Sequence, residues 1–379
     1  MRNLILLTLV SFLFASCASL PDTTPPADVV TVTERLVDAI PQLISNHGVA
    51  GVGVAIIDDG AVAWTGYYGE RAAGEAVTAD TMFNTASLAK TVTAEVVLRL
   101  VDAGRVSLDE PIAGHWSEKD LADDPRYRHL TPRILLSHRS GLLNWPYAYD
   151  DGKLAFIAEP GEKLTYSGAG YEMLVHFVEA KLGRDFESLA REVLYEPVGL
   201  KQISLSRQEW IDAYITHSMD RSGVYHEPYT YPNVRWVKPV GYLDGADDLY
   251  VSVEDYARFL IAVMNGDGLE EELTSDRFRV ISDARGVEGW ACLLPPDRCP
   301  SPYGYGLGWT IFAYGNRTFV QHGGTDFGEH AMAYFVPETR AGVLIFVNGG
   351  NGVELALEIL DLLEADHPLA SHFRARIAR

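Results

Sequence analysis

The sequence of 379 residues predicts an α/β (α+β) fold: an antiparallel sheet built from both chain ends, flanked by helices, with a mostly helical insert over about 105–280. The first observation is a pair of strand-like runs, Val49–Asp58 and Ala61–Tyr68, joined through Asp58-Asp59-Gly60, a strong hairpin signal. Strand-like runs then dominate again near the other end, at Tyr305–Phe312, Thr318–Gln321, His330–Phe335 and Ala341–Val347. Helical periodicity prevails between them, so one sheet with inserted helices is the simplest arrangement.

The helices are predicted from the spacing of their apolar residues and from glycines that end them. Gly48 and Gly104 each follow such a periodic segment and are typical helix stops. In chain order, the predicted helices are Glu34–Asn46, one that the segment Met82–Thr91 opens and that continues through Leu100, Tyr171–Leu182, Val253–Asn265 and about Val353–Leu363.

Composition and charge exclude several classes of protein. Hydrophobic residues make up 47 % and charged residues 22 %, as in a soluble globular protein, so disorder is not expected. The 31 basic and 52 acidic side chains give a net charge of −21. Nucleic acid is therefore not an expected partner, because binding to phosphate needs a basic surface.

The N-terminus has the layout of an export signal. An apolar stretch, Leu4–Phe14, is too short to span a bilayer as a helix and ends in Phe-Ala-Ser-Cys17, which resembles the lipobox of bacterial lipoproteins. We expect a lipoprotein-type signal peptide over 1–17, a flexible tether over 18–30 and one folded domain over 31–370.

This interpretation predicts a location and a mode of attachment. The protein is expected to be exported across the inner membrane to the periplasmic side and held on a bacterial membrane by a lipid on Cys17 alone. The alternative is ordinary secretion with an unmodified Cys17.

The remaining cysteines, Cys292 and Cys299, lie seven positions apart in a Pro-containing, loop-like segment. In an oxidising compartment they are expected to form a local disulfide, with two free thiols as the alternative. No metal site is predicted, because two cysteines without a nearby pair of histidines do not make a ligand set.

A serine and a lysine have the spacing of an activated nucleophile. Ser87 and Lys90 are three positions apart, so on a helix the hydroxyl and the amine share a face. A serine needs a base to act as a nucleophile, and a desolvated lysine amine can be that base. On its own this spacing also occurs by chance on surface helices.

Other motifs accompany this pair. Tyr166-Ser-Gly168 lies in a Gly-rich turn, and His322-Gly-Gly-Thr325 closes a predicted strand with glycines that allow a substrate to approach the backbone. Three more motifs accompany them over about residues 35–363: Leu135-Leu-Ser-His-Arg-Ser-Gly-Leu142, Gly241-Tyr-Leu with Asp248-Leu249, and Tyr305-Gly-Leu-Gly-Trp309. In this order they are the motifs of one known family. The chain resembles the serine β-lactamase-related hydrolases of the class C type, which include penicillin-binding DD-peptidases and family VIII esterases.

The resemblance implies a β-lactamase/transpeptidase-like fold and a role for each motif residue. Ser87 resembles the acylated nucleophile, Lys90 the amine that activates it, and Tyr166 the tyrosine that exchanges protons with Ser87 and the leaving group. The backbone amides of Ser87 and Thr325 correspond to the oxyanion hole. The segment His322-Gly323-Gly324 corresponds to the substrate-binding strand, with His322 in place of the family's lysine.

Two departures from the family pattern guide the expected activity. Gly168 stands where the family's Tyr-x-Asn motif has its amide, and His322 offers less fixed positive charge than a lysine would. We therefore expect an exported serine hydrolase that forms an acyl-enzyme on Ser87 and acts on carboxylic esters or small amides, without a cofactor. The alternatives are a DD-peptidase or D-aminopeptidase acting on cell-wall peptides, a weak β-lactamase, and a non-catalytic envelope binding protein of the same fold.

Other polar residues receive structural interpretations. The acidic group Asp244, Asp247 and Asp248 lacks the spacing of a calcium loop and is interpreted as a solvated turn. His138 is interpreted as a structural hydrogen-bonding residue, and His330 either lines the cleft or has a structural role.

Overall fold

The computed structural model describes residues 27–231 and 236–378 and confirms an antiparallel sheet assembled from both chain ends. The strands are Gly51–Asp58 (β1), Ala61–Ala72 (β2), Glu75–Ala76 (β3), Met82–Asn84 (β4), Ile203–Ser204 (β5), Thr230–Tyr231 (β6), Trp236–Val237 (β7), Tyr250–Ser252 (β8), Ser282–Asp283 (β9), Tyr303–Tyr305 (β10), Thr310–Tyr314 (β11), Arg317–Asp326 (β12), Glu329–Val336 (β13) and Ala341–Asn348 (β14). The large sheet has the order β3-β2-β1-β14-β13-β12-β11-β10-β9. Because β1 pairs with β14, the two chain ends meet at the centre of this sheet.

Some of the helices pack on the two faces of the large sheet, and others belong to the inserted region. They are Ala27–His47 (α1), Ala89–Asp102 (α2), Pro132–Leu136 (α3), Gly168–Leu182 (α4), Phe186–Ala190 (α5), Glu196–Val198 (α6), Val253–Asn265 (α7), Glu271–Arg277 (α8), Gly352–Leu363 (α9) and Pro368–Ile377 (α10). The region 105–280 carries α3–α8 together with short strands and long connections.

Alternating side chains divide the core between the two faces of the sheet. In β1, Val52 and Val54 pack into a cluster with residues of α1, α9 and α10, whereas Ala55 and Ile57 belong to the cluster that contains α2 and α7. This alternation follows from the two-residue period of a strand. Helix α2 is thereby buried between the sheet and the helical insert.

A second, small sheet places the start of α2. Strand β8 pairs with β4 and β5, and Asn84 of β4 is opposite Tyr250 of β8 in antiparallel register. Residues 85–88 leave one end of this pair, and residues 246–249 enter it from the same end. Two segments that are distant in the sequence therefore lie side by side at the start of α2.

Some predicted elements differ in their extent. Helix α1 begins at Ala27, inside the segment expected to be a tether, while residues 1–26, with Cys17, lie outside the described part of the chain. The predicted strand Tyr305–Phe312 is two strands, β10 and β11. The chain turns between them because Gly308 has a φ of 91° and packs where a Cβ would lie 2.3 Å from the Ala94 side chain. Helix α10 was not predicted.

Candidate active site

The predicted nucleophile lies on a tight turn at the start of α2. Ser87 belongs to a single 3₁₀ turn, Ala86–Leu88, which leads directly into the helix. The preceding Ala86 has a φ of 46°, and the Asn84 side chain accepts a hydrogen bond from its N–H at 3.1 Å. A non-glycine residue in this region of φ is strained and persists only where its surroundings hold it. The turn therefore presents Ser87 in a fixed position.

Lys90 lies one helical turn further on and points back to Ser87. Its Nζ donates to Ser87 Oγ at 2.9 Å and to the Ala246 carbonyl at 2.5 Å, and the side chain is fully buried. The same atom lies 4.9 Å from the centre of the Tyr166 ring. These partners are all electron-rich, so the site is suited to hold a lysine that donates hydrogen bonds.

Tyr166 is placed by the turn that precedes α4. Ser167 caps α4 by accepting from the Gly170 N–H, and its own N–H donates to His138 Nδ1 at 3.1 Å. The His138 ring also packs on Tyr166, with ring centres 4.2 Å apart. Burial lowers the pKa of His138 well below its ordinary value, and Lys90 acts in the same direction, so this ring is neutral. His138 thus has the structural role expected for it.

Strand β12 runs along the other side of the nucleophile. A Cβ on Gly324 would lie 2.1 Å from the Thr85 carbonyl oxygen and 2.8 Å from the Ser87 nitrogen, so only a glycine allows this approach. Thr325 follows on the same strand and lines the same cavity as Ser87. The residues predicted as nucleophile, lysine, tyrosine and substrate-binding strand are therefore brought together.

His322 is held as a neutral ring. Its Nδ1 lies 2.8 Å from the Gly323 carbonyl oxygen, so this nitrogen carries the proton and donates it. Burial lowers the pKa of His322 to about 3, and the nearby Lys90 acts in the same direction. At neutral pH strand β12 therefore supplies no positive charge at this position.

A packing contact explains one departure from the family pattern. A Cβ on Gly168 would lie 2.5 Å from atoms of the Trp145 indole, so a larger residue there would displace this ring. An amide is nevertheless close by, because Asn144 lines the cavity and its Oδ1 accepts from the Gly168 N–H at 2.7 Å.

A cavity of about 570 Å³ opens beside Ser87. Its walls include the segment before Cys292 and Cys299, which are joined by a disulfide bond, as predicted. The far wall comes from helix α10. The apolar side chains on these walls are Trp290, Ala291, Leu293, Phe312, Met332, Val353, Phe373 and Ile377, and polar groups, among them Gln321, His330 and Arg376, line the rest. A cavity of this size can hold a drug-sized molecule or a long acyl group.

The acidic turn has a role that the sequence analysis missed. Asp244 and Asp248 are buried, and Asp247 is partly buried, so the interpretation as a solvated turn is wrong. The Asp247 carboxylate accepts a hydrogen bond from the Ser87 hydroxyl at 2.8 Å. Desolvation raises the pKa of Asp247 to about 7, Asp326 and Asp244 act in the same direction, and Lys90 and the bond from Ser87 oppose it.

The turn itself is fixed by a carboxylate. Asp244 Oδ1 accepts from the N–H groups of Ala246 and Asp247 at 2.9 and 2.8 Å. This holds both the Ala246 carbonyl and the Asp247 side chain against the nucleophile turn. Asp248 lies on the other side, in a buried ion pair with Lys238.

The part of the chain that the structure describes has neither a metal-holding cluster nor a helix able to cross a membrane. Across 27–231 and 236–378, no group of three or more His, Cys, Asp or Glu residues is arranged to hold a metal ion. Within those same ranges, no helix has the length and apolar character needed to cross a membrane.

Comparison with known proteins agrees with the fold and with the family that the motifs resemble. A family model described as Beta-lactamase matches residues 33–365. Penicillin-binding protein 4 of Amycolatopsis lactamdurans is 26 % identical over 337 residues, which is 81 % of this chain and 83 % of that protein. Esterase EstB of Burkholderia gladioli is 25 % identical over 358 residues, which is 80 % of this chain and 91 % of the esterase.

The same fold occurs in solved structures. An octameric penicillin-binding protein homologue from Pyrococcus abyssi superimposes with a TM-score of 0.71 at 23 % identity, covering 92 % of this chain and 81 % of that one. Because the family model spans most of the sequence and the Ser-x-x-Lys turn, the tyrosine and the glycine-rich strand converge on one cavity, this chain belongs to the beta-lactamase family of serine hydrolases.

Proposed function

We propose that this protein is an exported serine hydrolase that forms an acyl-enzyme on Ser87 and acts on carboxylic esters or small amides. The observation that carries the proposal is the Ser87 hydroxyl, bonded to Lys90 at 2.9 Å and open to a cavity that has several apolar side chains on its walls. An acyl group can lie in this cavity with its carbonyl carbon against Ser87 Oγ.

The reaction has two halves that use the same groups. In the first, Ser87 Oγ attacks the carbonyl carbon, and the amides of Ser87 and Thr325 stabilise the negative charge on the carbonyl oxygen. Lys90 and Tyr166 form the proton-transfer pair that protonates the departing alcohol or amine. In the second half, a water molecule attacks the acyl-enzyme and releases the acid.

The charge and the packing at the site favour esters and small amides over β-lactams. His322 is neutral at pH 7, so β12 offers no fixed cation for the carboxylate of a β-lactam. Trp145 fills the space that a side chain at position 168 would occupy. Neither feature affects the acyl-transfer residues themselves.

The proposed location rests on the N-terminal sequence. The apolar stretch 4–14 and the lipobox-like ending at Cys17 support export and lipid attachment. In a bacterial host, the full chain should incorporate a fatty-acid label and sediment with membranes, and Cys17→Ala should lose both properties. A labelled, membrane-bound C17A variant would contradict the lipid anchor.

The catalytic proposal is tested with the full chain in detergent and short-chain nitrophenyl esters. We expect turnover and labelling by a fluorophosphonate probe, and both should be lost in Ser87→Ala. A panel of D-amino-acid peptides and β-lactams then ranks the substrate classes. Turnover that survives in S87A would refute the assignment of the nucleophile, and turnover of peptides alone would replace the ester proposal.

A further inference from the structure

Asp247 is the acidic group closest to the reacting oxygen. Its Oδ1 lies 2.8 Å from Ser87 Oγ, while Lys90 Nζ lies 2.9 Å from the same oxygen. Asp247 is held there by the turn that Asp244 caps.

The hydrogen bonds assign the direction of proton movement. Ser87 has one hydroxyl proton, and an ionised carboxylate can only accept, so this proton points to Asp247. Lys90 donates to the Ala246 carbonyl, which also can only accept, and to Ser87 Oγ. The serine therefore hydrogen-bonds to the carboxylate as donor and to the lysine as acceptor.

We infer that Asp247 is a further catalytic residue, the base that takes the Ser87 proton during acylation. This rests on the proposed acyl-enzyme function. As the bond forms between Oγ and the carbonyl carbon, the O–H bond breaks and its proton passes to Asp247 Oδ1, while an electron pair moves to the carbonyl oxygen.

The proton is returned when the leaving group departs. Tyr166 gives its hydroxyl proton to the leaving oxygen or nitrogen, recovers one from Lys90, and Lys90 recovers the proton held by Asp247. Each group is then in its starting state, and only the acyl group on Ser87 remains. In deacylation, Asp247 takes a proton from the attacking water and gives it to Ser87 Oγ as the acyl bond breaks.

The groups around Asp247 determine the pH range in which its carboxylate can act as a base. The charged or titratable groups around Asp247 are Lys90, Asp244, Asp326, Glu329 and Tyr147. Burial raises the pKa of Asp247 to about 7. Below that pH the carboxyl is already protonated and cannot take the Ser87 proton, so kcat/KM should rise with pH through about 7.

The test compares Asp247→Asn with Asp326→Asn in the full chain. D247N keeps the shape of the side chain but cannot take a proton, so kcat/KM and the rate of fluorophosphonate labelling should fall by about 10²–10⁴-fold. The acid limb of the pH profile, which is the rise of kcat/KM through about pH 7, should also disappear. D326N removes a neighbouring carboxylate that does not contact Ser87. It should keep the limb and move it to lower pH, because Asp326 raises the pKa of Asp247.

The outcomes separate this inference from the proposed function. Unfolding in denaturant establishes that D247N is folded, and labelling of the wild-type protein that depends on Ser87 establishes the nucleophile. If the wild-type protein is not labelled, the proposed function fails. If it is labelled and folded D247N reacts as fast or faster, or keeps the same acid limb, Asp247 is not the base.

Discussion

Adding a single methyl group to β12 should show whether the close approach of this strand to Ser87 is needed for catalysis. The perturbation is Gly324→Ala, compared with Gly323→Ala one position earlier on the same strand. On Gly324 the added carbon would lie 2.1 Å from the Thr85 carbonyl oxygen and 2.8 Å from the Ser87 nitrogen. On Gly323 its nearest neighbours would lie at 3.4 Å, which is ordinary contact.

The size of the effect follows from these distances. Relieving the contact at Gly324 requires β12 to move by roughly 1 Å away from the nucleophile turn, and a misplacement of that size costs about 10²-fold in rate. Moving the Thr325 amide out of the oxyanion hole would cost about 10²–10³-fold in kcat. Because the move also disturbs a packed strand, we expect a loss of about 1–3 kcal/mol in the free energy of unfolding.

The assay measures kcat and KM for a nitrophenyl ester at one pH. Urea unfolding of each variant gives its free energy of unfolding. G324A should lose mainly kcat, and its loss should exceed that of G323A by at least about tenfold. Equal kinetic constants in the two variants would refute the reasoning, because the close approach of β12 to Ser87 would then not position the oxyanion hole.

Two further predictions concern the core and the cavity. Glu95 is fully buried between Arg99 and Arg277, and although desolvation raises the pKa of its carboxyl, the two guanidinium groups lower it below the ordinary value. Glu95→Gln should therefore cost about 3–5 kcal/mol of unfolding free energy at pH 7. In urea titrations, this difference should persist down to the ordinary glutamate pKa of about 4.3 and shrink only below it; equal stability at pH 7 would contradict a charged triad. Trp290→Ala removes one apolar wall of the cavity and should raise KM for long-chain nitrophenyl esters much more than for acetate. An equal change for both esters would show that the acyl chain lies elsewhere.

The parts of the fold that are regular in the sequence were predictable. The hairpin β1–β2 and the apolar runs of β13 and β14 are local signals, and the strands from the two chain ends do meet where β1 pairs with β14. Gly308 could not be recognised as a break within Tyr305–Phe312, because the need for it comes from the packing of α2. Helix α10 follows shortly after α9 and was not recognised as a separate helix; its buried side chains, Leu369, Ala370 and His372, gain their partners from the rest of the fold.

The active site was predictable as far as its motifs extend. Ser87, Lys90 and Tyr166 stand in recognisable local patterns. Asp247 belongs to no such pattern. A short acidic segment is usually a solvated turn, so its sequence alone offers no reason to place it beside Ser87. The register of the small sheet was the signal that could have found it: Asn84 is opposite Tyr250, so the positions three residues beyond each, Ser87 and Asp247, lie at the same end.

The charges around Ser87 distinguish this site from one built to hold an anionic substrate. The His322 ring on β12 is neutral, and Lys90 is occupied by Ser87 and the Ala246 carbonyl. On the opposite side stands the Asp247 carboxylate, with Asp326 near it. A substrate carboxylate close to the scissile bond would meet this negative side with no cation on β12 to offset it, whereas a neutral ester meets no such cost. We therefore expect the histidine that stands in place of the family's lysine on β12 and the acidic residue at position 247 to act in the same direction, so that both favour neutral acyl donors.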